Sequence, residues 1–373
     1  MNTEIKYLYI DDRKDSQNAI LSLREEGKLV IDIIQPPQRI KDAISILKKK
    51  KYDGLIVDQQ LDEKKLDNGE KNTYLGGALA MDIRANEYHT IQKGKDKKDT
   101  SIPIVLYSAN TNLPLMLYGY GDSIYDLILT IKTTNSFKEF RKLIPMYQKQ
   151  LESLVKGYTI LKNKSSIESL SCPDENNIDS RFVDELKRRD SLTVHTKASF
   201  ILNELIIKQG ILIDEDILAV RLGIDKNKSK DNWNKVLDSL KEYRADYQGV
   251  FSEGWPRWWM PMVKNWWYQK IDSDTYIRFY DAKQRVELIS EKLNIKEGLI
   301  PAKAESKYSV HNDYWTVCDF SKEPLDIEDG LMLAGQEDLY PWQDAKYVSI
   351  HSALVAPIEI AESDKEVLEN FNK

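Results

Sequence analysis

The chain has 373 residues, enough for two or three domains, and its 54 Lys plus Arg against 60 Asp plus Glu give a net charge of −6. That balance excludes the strongly basic footprint of a dedicated nucleic-acid binder. No long apolar run and no basic-then-apolar amino end is present, and Cys172 and Cys318 suit neither a disulfide framework nor a metal site, so the expectation is a cytoplasmic protein without a membrane span.

Four short apolar runs rich in β-branched and aromatic residues open the chain: 6–10, 54–57, 102–107 and 126–131. Runs this short, bounded by polar or turn residues, predict strands of a parallel sheet covered on both faces. Helical periodicity lies between them, over 16–24, over 38–50 with Ile40, Ala43, Ile44 and Leu47 at helix spacing, over 77–84, and from Ser136 onward. The alternation predicts an α/β doubly wound domain with a five-stranded parallel sheet. The run ending at Lys132 has a competing reading as helix.

Each run ends on a polar residue, at the strand ends where such sheets collect function. Asp11 and Asp12 follow the first, Asp58 the second, Ser108 the third and Lys132 the fourth. Three converging carboxylates repel one another unless a cation lies among them, and hard oxygen ligands favour Mg²⁺. An Asp carboxylate can attack phosphorus to give an acyl phosphate, while a metal and a lysine neutralise the phosphoryl oxygens and a serine hydroxyl donates to one of them. A strand-end Asp is also an ordinary helix N-cap, and Asp11 or Asp12 could serve that role alone.

On these residues, together with Ser108-Ala109 and the segment Gly76-Gly-Ala-Leu-Ala-Met-Asp-Ile-Arg84, the first 150 residues resemble the receiver domain of two-component response regulators. The resemblance implies a flavodoxin-like fold in which Asp58 accepts phosphate from a histidine kinase or a small phosphodonor. It implies Mg²⁺ held by Asp11, Asp12, Asp58 and the backbone carbonyl of Gln60, with Ser108 and Lys132 contacting the phosphoryl group. The sequence departs from the family in two charged insertions, 62–71 and 87–100, in Leu129 where an aromatic is usual, and in Thr133 where proline is customary.

Beyond residue 150 a helix runs to Leu161, with Leu143, Tyr147, Leu151 and Leu154 on one side. Helices extended in this way carry dimerisation or mechanical coupling, and ordinary packing on the sheet is the alternative. Residues 151–179 read as this extension plus a linker, and 180–300 as an α-rich domain. In it, 213–224 and 232–243 form a helix-turn-helix-like layout that could bring Lys226, Lys228 and Lys230 to phosphates. Residues 151–300 carry 24 basic and 24 acidic residues, which speaks against DNA contact. Five of eight tryptophans fall within Gly254–Tyr268, a buried hub or, if exposed, a docking surface. Residues 301–373, with 6 basic and 15 acidic residues, form a mixed α+β region with strands at 314–318 and 347–351 and an unassigned motif, Asp338-Leu-Tyr-Pro-Trp-Gln-Asp-Ala-Lys346.

The reading that follows is an atypical response regulator, not an enzyme, whose output half docks a protein partner or controls assembly. Alternatives are a DNA-binding regulator using 213–243, and a catalytic output in which Cys318 works with His311 or His351 and Asp344.

Overall fold

A computed structural model describes residues 4–13, 17–63, 65–67, 69–92, 99–108, 124–130, 136–336 and 338–371. Lys132, Thr133 and Ala109 lie outside them. Contacts divide the chain into two compact units. The first is Met1–Ser171 with Val183–Asn203 and Gln248–Trp255, and the second is Cys172–Phe182 with Glu204–Tyr247 and Pro256–Lys373. A linear succession cut near residues 150 and 180 therefore differs from the contact pattern, because 183–203 and 248–255 return to the first unit.

In the first unit the strands are β1 (Ile5–Ile10), β2 (Leu29–Ile34), β3 (Gly54–Asp58), β4 (Ile104–Ser108) and β5 (Leu127–Thr130). They form one sheet in the order β2-β1-β3-β4-β5, every pair parallel. This is the doubly wound order of flavodoxin-like folds, whose switch point lies between β1 and β3. The helices are α1 (Gln17–Leu21), α2 (Ile40–Lys50), α3 (Gly76–Gln92) and α4 (Ser136–Leu161). Residues 127–130 are strand, which settles the ambiguity of that run.

The pattern explains the layering. β3 and β4 are buried at every position, as a strand covered on both faces requires. Leu8, Ile10, Leu55 and Val57 pack with Ala43, Leu47, Leu79 and Ile83 of α2 and α3, each burial worth roughly 1.5–3 kcal/mol for the larger side chains. On α4, Phe140, Tyr147, Leu151, Leu154 and Tyr158 are buried at helix spacing. Leu143, expected on that face, is 37% exposed. Tyr7 anchors α4 to the sheet by donating its hydroxyl to the Leu151 carbonyl at 2.9 Å. Its ring fills the space a Cβ at Gly54 would need, 2.3 Å away, so that strand position accepts glycine only.

The second unit is helical with small antiparallel pairs. Asp214 caps a helix over Glu215–Arg221, and a single turn, Lys226–Ser229, leads into a helix over Asp231–Glu242. The expected layout is present, but its three lysines belong to the short turn and its C-cap, not to the longer helix. Lys226 pairs with Asp216 at 2.8 Å and Lys228 with Asp225 at 2.9 Å. Trp258, Trp259, Trp266 and Trp267 are buried, with Trp266 Nε1 donating to Ser239 Oγ and Trp267 Nε1 to the Thr275 carbonyl, so they form interior rather than a docking surface. Residues 347–349 are strand, but Ile350 and His351 belong to a helix, Ile350–Val355. Among the described residues no helix is long and apolar enough to cross a membrane.

Candidate functional site

Parallel strands end together, so β1 and β3 deliver their carboxyl-terminal residues to one rim of the sheet. Asp11, Asp12 and Asp58 meet there, all buried, with carboxylate oxygens within 4.8 Å of one another. Asp11 Oδ1 accepts the Arg13 amide at 2.8 Å, and its Oδ2 accepts the Tyr9 hydroxyl. Ser108, at the end of β4 next to β3, is buried on the same rim, one residue beyond Tyr107, the register partner of Asp58. Lys132 would follow two residues after β5 ends at Thr130.

The loop after β3 is fixed by close contact. Gly76 at the start of α3 donates its amide to the Gln59 carbonyl at 3.0 Å, and a Cβ at Gly76 would fall 2.0 Å from the Asp58 carbonyl oxygen. The Tyr125 hydroxyl donates to Gln59 Oε1 at 3.2 Å.

Electrostatics show what this crowding does. Burial raises the Asp58 carboxyl, the neighbouring Asp11 raises it further, and Arg13 and the Gln59 amide only partly oppose them, leaving it at about 7. Arg13, which the sequence reading passed over, places Nη2 3.2 Å from Asp58 Oδ2 and Nη1 3.4 Å from Glu63 Oε2. Its position directly after the acidic pair was the available signal. Three hard carboxylates held this close fit a divalent cation by donor chemistry, and relief of their repulsion is the driving force.

A second buried cluster lies at the opposite end of β5. The Asp126 carboxylate accepts from Arg84 Nη2 at 2.8 Å, the Ile104 amide at 2.8 Å and the Tyr158 hydroxyl at 2.7 Å, and His195 Nδ1 lies 3.4 Å away. Burial alone would raise Asp126, but Arg84 and His195 outweigh it and hold the carboxyl below its ordinary value. The cluster joins β5, α3 and α4 to the helix Val194–Ile201 within the first unit. No strand-end pattern announced it, since its members are far apart in sequence.

Among the described residues no hydrogen bond or ion pair links Cys318 to His311, His351 or Asp344. The sulfur accepts the Ser349 amide at 3.2 Å and the Ser321 amide at 3.4 Å and lies 3.2 Å from Ser352 Oγ, in an apolar cluster with Leu325, Leu331 and Val348. Burial pushes the thiol up, but hydrogen bonds from Ser321, Ser352 and Ser349 bring it to about 7. His311 instead pairs with Asp329 at 2.8 Å and Asp344 with Arg221 at 2.6 Å.

No protein-family model matches the chain, and no curated protein does. Similar solved structures include the signal receiver domain of a putative LuxO repressor protein from Vibrio parahaemolyticus, 13% identical, covering 43% of this chain and 99% of that one with a TM-score of 0.27. A CheY-like receiver domain from Methylobacillus flagellatus is 17% identical over 38% of this chain and 98% of its own, with a TM-score of 0.24. The response regulator domain of CheB from Thermotoga maritima is 12% identical over 41% and 97%, with a TM-score of 0.26. By its own sheet order the amino-terminal part of this chain has a flavodoxin-like doubly wound fold, with Asp11, Asp12 and Asp58 gathered on its rim.

Proposed function

We propose that the chain is a response regulator that accepts a phosphoryl group on Asp58 from a histidine kinase or a small phosphodonor. A carboxylate oxygen of Asp58 attacks phosphorus, the bond from phosphorus to the donor breaks, and the donor leaves with that electron pair. Mg²⁺, when held by Asp11, Asp12, Asp58 and the Gln60 carbonyl, supplies charge neutralisation for the phosphoryl oxygens. Ser108 donates a hydrogen bond to one of those oxygens and Lys132 pairs with another. Arg13 orients the Asp58 carboxylate before transfer and must yield one of its contacts when the phosphoryl group arrives.

The observation that carries this reading is the gathering of Asp11, Asp12 and Asp58, from two separate strands, within 4.8 Å. The output half then docks a protein partner or controls assembly. The Asp126 cluster supports a path for the signal, since it ties the strand leading toward Lys132 to the helix over Val194–Ile201.

The test is incubation with Mg²⁺ and a small phosphodonor, comparing the parent with Asp58→Asn by intact mass and by assembly state. The parent gains one phosphoryl group and the variant gains none. Equal gain by both places the acceptor elsewhere, and no gain by either removes the phosphorylation reading.

A further inference from the structure

Three segments that stand out in the sequence without an assigned role meet in the second unit. Arg257 comes from the tryptophan-rich stretch, Trp315 from the strand-like piece at 314–318, and Gln343 to Lys346 from the motif at 338–346. All line one cleft of about 490 Å³, within the range of small-molecule sites.

Its charges are unevenly matched. Each carboxylate on its wall is already engaged. Asp344 pairs with Arg221 at 2.6 Å, Asp319 with Lys322 at 3.2 Å, and Asp216 with Lys226 at 2.8 Å. Asp214 accepts the Ile217 amide at 2.9 Å and Gln209 Nε2 at 2.8 Å. Arg257 and Arg278 line the same cleft, and neither forms a salt bridge among the described residues, although the charge of Asp214 acts on Arg257. Arg257 is held in place by giving Nε to the Ile206 carbonyl at 2.7 Å and Nη1 to the Pro256 carbonyl at 2.8 Å. Arg278 lies 5.4 Å from the centre of the Trp315 ring, and buried Arg221 lies 4.7 Å from it.

The cleft is lined by five cations, Arg221, Arg257, Arg278, Lys322 and Lys346, against four carboxylates, Asp214, Asp216, Asp319 and Asp344, and this positive excess with two arginines outside any ion pair suits an anionic partner with paired oxygens. A phosphate monoester carries about −1.5 to −2 charge at neutral pH and matches the planar fork of arginine. The volume exceeds that of a bare phosphate ion, so the group is esterified to a small polar molecule. We propose that this cleft binds a small organic phosphate through Arg257 and Arg278 beside Trp315, a ligand site separate from Asp58.

The test is isothermal titration of the full chain, without divalent cations, with AMP, glycerol 3-phosphate, inorganic phosphate and succinate as probes. Saturable binding of AMP or glycerol 3-phosphate is expected, weakened about tenfold or more by Arg278→Gln and unchanged by Asp58→Asn. Arg278 is exposed and makes no hydrogen bond among the described residues, so its substitution leaves the fold intact. Arg257→Gln is expected to weaken binding likewise, with circular dichroism verifying its fold. Absence of saturable binding by the organic phosphates at millimolar concentration overturns the proposal. So does binding that both arginine variants retain, or binding of succinate or inorganic phosphate tighter than that of both organic phosphates.

Discussion

Replacing Asp58 by Asn removes a charge the folded protein accommodates poorly, so the variant should be more stable than the parent above neutral pH. The carboxyl is raised from an ordinary 3.8 to about 7, chiefly by burial and then by Asp11. A raised acid binds its proton more tightly in the folded state, so stability is fully present below about pH 4 and is lost as pH rises through about 7. At about 1.4 kcal/mol per pH unit the whole effect is roughly 4 kcal/mol, an upper bound because local relaxation and water reduce it. Asn stands in for the protonated acid and carries no such dependence. Urea unfolding followed by circular dichroism, with a chelator present, should show the parent losing about 1.5–2.7 kcal/mol between about pH 5 and about pH 8 relative to Asp58→Asn. Added Mg²⁺ should shrink that difference, because a cation bound only by the folded state stabilises it by about 2.7 kcal/mol at a hundredfold excess over its dissociation constant. Identical pH profiles for parent and variant without divalent ions would refute the claim that burial, with Asp11 beside it, raises the Asp58 carboxyl.

Removing the Arg13 guanidinium should both weaken the metal-free protein and open the acidic site. Arg13→Ala is expected to destabilise by about 1–2 kcal/mol without divalent ions and to bind Mn²⁺ several-fold more tightly by calorimetric titration; unchanged affinity would show that Arg13 does not compete with the cation. Gly76→Ala should destabilise by about 1–3 kcal/mol in urea, because its Cβ would overlap the Asp58 carbonyl oxygen and displace the acceptor loop, and it should slow phosphorylation measured by mass. Tyr158→Phe removes one hydrogen bond to the buried Asp126 carboxylate and should lower stability by about 1–3 kcal/mol. Faster hydrogen exchange in the helix over Val194–Ile201 would accompany it if that cluster ties the helix down.

Much of the first unit was legible along the chain because the physics there is local. Short apolar runs bounded by polar residues suit covered strands, the helices between them favour parallel pairing, and parallel strands place their final residues on one rim, so Asp11, Asp12, Asp58 and Ser108 could be assigned to one site from the sequence. What depended on the chain closing on itself could not be read in advance. Arg13 reaches Asp58 only because β1 and β3 are neighbours, and Asp126 gains Arg84, Tyr158 and His195 from three helices separated by long stretches of chain. In the second unit, side-chain identity flagged Trp258 to Trp267 and the 338–346 motif, but composition is silent on burial and pairing. Tertiary packing put those tryptophans inside, paired Asp344 with Arg221, and lined one cleft with both Arg257 and Arg278. Periodicity fixes which face of an element is covered, whereas which distant charge meets which is decided by the three-dimensional path of the backbone.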